Sequence, residues 1–164
     1  MNPLLREIFA LAREVVEGAT SIALTIGTAE SCTGGLIGGA ITAIPGSSAA
    51  YAGGVVSYSN SLKTSLLGVP ADMILQYGAV SEEVASAMSL GAQERLKVDI
   101  AIAVTGVAGP GGGSDAKPVG TVWIGMAGRA GVRVIRKDYG DIGRNRVRDL
   151  TVRDALEMLR DELG

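Results

Sequence analysis

The chain of 164 residues contains no histidine. That absence excludes Ser-His-Asp triads, Cys-His pairs, His-ligated zinc and any imidazole base. A single cysteine, Cys32, excludes an internal disulfide and a thiolate metal cage, and it fits a reducing cytoplasm. Aromatics are scarce, with four Tyr, one Trp and one Phe, so small and β-branched residues must build the core. Charge is nearly balanced, 15 Lys plus Arg against 17 Asp plus Glu. Neither a basic excess nor a stacking platform is present, which argues against nucleic acid as a partner. No uncharged run is apolar enough for a membrane span, and the N-terminal segment, with Arg6, Glu7, Arg13 and Glu14, does not read as a signal peptide.

Glycine is the abundant residue: 24 of them, roughly twice average usage. Helical spacing runs from Leu4 through Ile8, Leu11 and Val15 until Gly18. Ser21 to Gly27 reads as a buried strand and Thr33 to Ile44 as a small-residue helix carrying Gly34, Gly35, Gly38 and Gly39, where close backbone packing would explain the glycines. A turn at 45–48 leads to a strand over Gly53–Tyr58 and short helices over Asn60–Leu67 and from Pro70 to near Gly78. Ser81, followed by Glu82 and Glu83, caps a helix extending to about Lys97. Asp99 to Thr105 is the clearest buried strand, and the glycine-rich loop Gly106 to Pro118 follows it. Two strands, Gly120–Ala127 and Val132–Tyr139, form a hairpin, and a final helix runs from Arg144 to about Leu163. No linker or repeat divides the chain. This order predicts an α/β fold: one single-domain three-layer α/β/α sandwich with a mixed sheet.

Four features can carry chemistry. Thr28-Ala29-Glu30-Ser31-Cys32-Thr33-Gly34-Gly35 sits where a strand gives way to a helix, a corner rich in free N–H groups. A nucleophile there has oxyanion donors built in, although Ser31 or Thr33 would equally serve as a plain helix cap. Ser31 and Cys32 compete as nucleophiles: a helix N-terminus favours a thiolate, but cysteine is among the most buried residue types. Without histidine, the base for Ser31 is either the adjacent Glu30 or a lysine. Tyr58-Ser59-Asn60-Ser61-Leu62-Lys63 supplies one, which works only if desolvation lowers its pKa; an exposed Lys63 beside a packed Tyr58 is the bland reading. The 106–118 loop lies where open α/β sheets bind ligands, but it contains no Walker A or G-x-G-x-x-G pattern, and an ordinary loop reads the same. Arg144 and Arg148, one turn apart, occupy the start of the last helix, where the dipole disfavours cations unless an anion is bound.

Six blocks taken together carry a resemblance: A-E-S-C-T-G-G at 29–35, Y-S-N-x-x-K at 58–63, L-G-V at 67–69, G-A-V-S at 78–81, T-G-V-A-G-P at 105–110 and K-P-V-G-T-V-W at 117–123. The chain resembles the CinA C-terminal domain family of nicotinamide-nucleotide amidohydrolases, in stand-alone form, over residues 1–164. The resemblance implies hydrolysis of the carboxamide of nicotinamide mononucleotide to nicotinate mononucleotide and ammonia, in pyridine nucleotide recycling. It implies Ser31 as nucleophile, Lys63 as its base and Tyr58 assisting. Substrate contacts are then expected at Cys32, Thr33, Gly34, Asn60, Thr105, Gly106, Arg144 and Arg148. It implies no metal and no organic cofactor, a small nucleotide as the partner, a cytoplasmic location and a homodimer. Against it stand two other readings: a Ser-Lys amidase for a different small amide, and a non-catalytic nucleotide-binding module.

Overall fold

A computed structural model describes residues 1–164. Five strands, β1 (Ile26–Glu30), β2 (Tyr51–Val56), β3 (Ile100–Gly106), β4 (Thr121–Gly128) and β5 (Gly131–Asp138), form one sheet in the order β2-β1-β3-β4-β5. β1 runs parallel to β2 and β3, whereas β4 is antiparallel to both β3 and β5, so the sheet is mixed. Six helices flank it: α1 (Pro3–Ser21), α2 (Leu36–Thr42), α3 (Asn60–Leu67), α4 (Ala71–Tyr77), α5 (Glu82–Leu96) and α6 (Arg144–Leu163). None is long and apolar enough to cross a membrane.

The alternation of side chains along β3 explains how two helical layers fit. Ile100, Ile102 and Val104 face one side, where with Ile26, Ile124 and Met126 they meet α1, α2 and α6 in the larger core. Ala101 and Ala103 face the other side with Ala29, against Leu67, Val84, Met88 and Ala92. That small-residue face lets α5 come close. A Cβ on Gly125 of β4 would lie 2.6 Å from the Ala85 carbonyl oxygen, and one on Gly91 of α5 would overlap the Leu67 carbonyl at the end of α3. Glycine at these positions therefore sets the distance between backbones.

Three helix starts carry side-chain caps, of which the sequence had singled out Ser81 alone. Asn2 caps α1, Ser59 caps α3 and Ser81 caps α5, each through a side-chain oxygen accepting a backbone N–H. The bounds of α1, β1, β2 and α2 differ from expectation. α1 continues through Gly18 to Ser21, so the strand expected at 21–27 begins only at Ile26 and extends to Glu30. β2 begins at Tyr51 and ends at Val56, earlier than expected. α2 begins at Leu36 instead of Thr33, because Gly34 and Gly35 take left-handed backbone angles, φ +60° and +106°, that close a turn ahead of the helix. Of the glycines expected on that helix, only Gly38 makes a close approach, to Tyr51 and Glu30; a Cβ on Gly39 would meet nothing.

Candidate functional site

The parallel strands β1, β2 and β3 end on the same edge of the sheet, and a cleft of about 200 Å³ opens there. It is lined from four directions: Ser31 and Cys32 after β1; Tyr58, Asn60 and Lys63 after β2; Thr105, Gly106 and Ala108 at the end of β3; and Arg144 at the start of α6. Ala79 and Val80 complete it.

Lys63 is the unusual residue. It projects from α3 with 1% of its surface exposed, and no carboxylate pairs with it. Its Nζ lies 3.1 Å from Ser31 Oγ, 3.0 Å from the Ser57 carbonyl oxygen and 3.2 Å from the Tyr58 carbonyl oxygen. Nζ donates to all three oxygens; on losing one proton the amine keeps two N–H groups for the carbonyls and turns its lone pair to the Ser31 hydroxyl. Burial disfavours the ammonium and lowers the Lys63 pKa from its ordinary value, while nearby Cys32 opposes this more weakly. Ser31 itself is 8% exposed and opens into the cleft.

The competing candidates separate. Cys32 is buried, and burial pushes its thiol up to about 12, so it is a neutral thiol near pH 7. Glu30 does not touch Ser31 Oγ. Its carboxylate points the opposite way and accepts from Thr33 Oγ1 at 2.6 Å, Ile37 N at 2.8 Å and Gly38 N at 3.0 Å. The N–H groups at the start of α2 are therefore occupied by Glu30. In the preceding turn, Ser31 N donates to Val104 O, and the Cys32 and Thr33 N–H groups have no backbone acceptor.

The expected site residues are not all gathered in one place. The Tyr58 phenol sits away from the Ser31–Lys63 contact and accepts from Arg144 at 2.9 Å; its main-chain carbonyl is what holds Lys63. Arg144 also donates to the Gly109 carbonyl oxygen at 2.8 Å, which ties the glycine-rich loop to α6. A guanidinium has five N–H donors, and the remaining ones are available to the cleft. Asn60, Thr105 and Gly106 line the cleft, with the Thr105 hydroxyl donating to the Ala79 carbonyl oxygen at 2.8 Å. Arg148 does not line it. It donates to the carbonyl oxygens of Cys32 at 3.0 Å and Thr33 at 3.3 Å, clasping the turn that bears Ser31 from behind. Thr33 is fully buried on Glu30, and Gly34 lies against Arg148; neither lines the cleft. Ala79, Val80 and Ala108 were not singled out from the sequence. The G-A-V-S block at 78–81 and the T-G-V-A-G-P block at 105–110 were the signals that pointed there.

No cluster of three or more Cys, Asp or Glu side chains converges as a metal cage.

Comparison with known proteins bears on the family and the fold. The family model described as the CinA C-terminal domain matches residues 8–163. A CinA-like protein of Parasynechococcus marenigrum is 52% identical over 140 residues, which are 85% of this chain and 33% of that protein. This chain spans about a third of the length of the curated relatives it matches. Among solved structures, the competence/damage inducible protein CihA from Agrobacterium tumefaciens superposes with a TM-score of 0.93 at 49% identity, covering 96% of this chain and 95% of that one. A CinA superfamily protein from Klebsiella pneumoniae gives a TM-score of 0.91 at 35% identity, covering 95% of this chain and 97% of that one. With a family model spanning nearly the whole chain and a near-complete structural match at close to half identity, the chain belongs to the CinA C-terminal domain family.

Proposed function

We propose that this protein is a serine-lysine amidohydrolase that converts nicotinamide mononucleotide to nicotinate mononucleotide and ammonia. The observation that carries the proposal is the 3.1 Å approach of Ser31 Oγ to a buried Lys63 amine that no carboxylate neutralises. Neutral Lys63 takes the Ser31 proton as Ser31 Oγ attacks the carboxamide carbon. The oxyanion is held by the N–H of Cys32, which lines the cleft and has no backbone acceptor, instead of those at the start of α2, which Glu30 occupies. The C–N bond breaks, Lys63 returns the proton to the departing nitrogen, and ammonia leaves. Water then attacks the acyl-serine ester, again giving its proton to Lys63, and the carboxylic acid is released with Ser31 restored. The direct Ser31–Lys63 contact makes a proton relay through Tyr58 unnecessary. Tyr58 instead fixes Arg144, whose free donors suit the phosphate of the nucleotide. The cationic pyridinium ring makes the carboxamide more electrophilic.

In this reading no metal or organic cofactor takes part, and the enzyme works as a cytoplasmic homodimer in pyridine nucleotide recycling. Ammonia release from nicotinamide mononucleotide, free nicotinamide and unrelated primary amides, each with wild type and Ser31→Ala, tests it. The expected result is turnover of the mononucleotide alone, with a loss of about 10³-fold or more in Ser31→Ala. Turnover of a different amide would leave a serine-lysine amidase with another substrate. Binding without turnover, or full activity in Ser31→Ala, would overturn the proposal.

A further inference from the structure

Glu30 is a buried carboxylate, 2% exposed, with no basic side chain beside it. Burying a charge this way is costly unless its oxygens are fully hydrogen-bonded. Here all the compensation comes from one place: the Thr33 hydroxyl and the Ile37 N–H on one oxygen, and the Gly38 N–H on the other. Helix α2 has no side-chain cap of its own, since Gly35 stands at the capping position. Its first turn is instead held by the last residue of β1, across the turn that carries Ser31. Arg148 grips the same turn through the Cys32 and Thr33 carbonyls.

The main chain of Glu30 reaches the other half of the pair. Its carbonyl oxygen accepts from Ser57 N at 2.9 Å, and the carbonyl of Ser57 is one of the two that hold Lys63 Nζ. Its side chain therefore fixes the turn bearing Ser31, and its main chain fixes the segment that seats Lys63. We infer that Glu30 is the positioning residue that sets the separation of Ser31 Oγ and Lys63 Nζ. It acts through the Thr33–Gly38 donors and without touching the substrate, because it does not line the cleft. The inference rests on the serine-lysine reading of the site and makes the E-S-C-T block one unit: Glu30 and Thr33 hold the turn that Ser31 and Cys32 present.

Glu30→Gln keeps the shape but sets an amide N–H against one of the backbone N–H donors and removes the charge. With the protein folded, kcat is expected to fall about 10- to 100-fold, the scale of a displacement of about 1 Å between reacting groups. KM should stay within about twofold, and the pH midpoint of kcat/KM should not move, because Lys63 keeps its burial and its two carbonyl partners. Thr33→Val removes only the 2.6 Å hydroxyl contact and should lower kcat in the same manner by a smaller factor; it carries the test if Glu30→Gln does not fold. A purely structural role would lower activity only in proportion to the folded fraction, read by circular dichroism. The rate at which a fluorophosphonate labels Ser31, read by intact mass, gives the same comparison without any amide substrate and should fall in parallel with kcat. Wild-type kcat and labelling in a folded variant would overturn the inference, as would a loss that shifts the pH midpoint, which would make Glu30 a participant in proton transfer. Ser31→Ala in the same assays separates the two levels. If it retains full activity, the serine-lysine reading fails; if it is inactive while Glu30→Gln is intact, only the positioning role fails.

Discussion

Replacing Lys63 with methionine tests whether the buried amine is neutral, and it does so without any assumption about substrate. Burial lowers the Lys63 pKa in the folded protein, while in the unfolded chain it sits near about 10.4. Below the folded value both states carry the proton. Between the two values the unfolded chain binds one proton that the folded chain does not. Stability therefore rises with pH across that window, with a slope of at most about 1.36 kcal/mol per pH unit for the one group. Lys63→Met removes this slope. It also strips a donor from the Ser57 and Tyr58 carbonyls, at about 1–3 kcal/mol each, but that cost is independent of pH and only displaces the curve. Cys32 acts in the opposite direction. Its folded thiol, at about 12, keeps a proton that the unfolded thiol loses above about pH 8.5, so this term lowers stability as pH rises. Both proteins carry Cys32, so most of its contribution cancels in the difference between them; the part that remains is its coupling to Lys63. Urea unfolding of wild type and variant from pH 7 to pH 10 is the assay, and the expected result is a steeper wild-type curve. Parallel curves would refute the reasoning, because they would mean that Lys63 stays charged in the fold. A wild-type kcat/KM that does not rise with pH between 6 and 9 would refute the same point from the activity side.

Three further outcomes are expected. Cys32 should resist iodoacetamide at pH 7.5 in the native protein and react promptly in urea; fast native alkylation would contradict its burial and raised pKa. Gly91→Ala should destabilise by about 1–3 kcal/mol, since overpacking against the Leu67 carbonyl outweighs the gain of about 1 kcal/mol that alanine brings inside a helix; a higher urea midpoint would show that α3 and α5 can separate cheaply. Arg144→Gln should raise KM for the mononucleotide about tenfold or more, on the scale of one lost charge-assisted hydrogen bond; an unchanged KM would place Arg144 away from the phosphate.

What the sequence disclosed follows from which forces are local. Ser81 with Glu82 and Glu83 announced α5 to the residue, because capping and dipole chemistry are settled within one turn. The end of β1 was misread for the opposite reason. Thr28 and Glu30 are polar, and polar residues suggest a corner, yet both are buried in the strand and satisfied by Tyr51 and by the start of α2. Lys63 stood in the sequence as a candidate base, but an exposed lysine on a short helix read equally well there. Its burial comes from the turn after β1 and the end of β2, residues 32 and 6 positions away, and nothing within α3 encodes it. Helical spacing correctly placed Arg144 and Arg148 on one face, but only tertiary contacts sent the first to Tyr58 and Gly109 and the second to the Cys32 and Thr33 carbonyls.

The contact between Gly91 and the end of α3 has a consequence for how this fold can vary. The helix that delivers Lys63 rests on α5 through main-chain atoms, with no interlocking side chains at the closest point. With Leu67 packed on Val84, Met88 and Ala92, its seat is insensitive to the exposed residues it carries. Asn60, which lines the cleft, can be exchanged to reshape its mouth while the lysine stays within reach of the serine. Substrate preference and catalytic geometry are thereby assigned to separate sets of atoms, and one can drift while the other is held fixed.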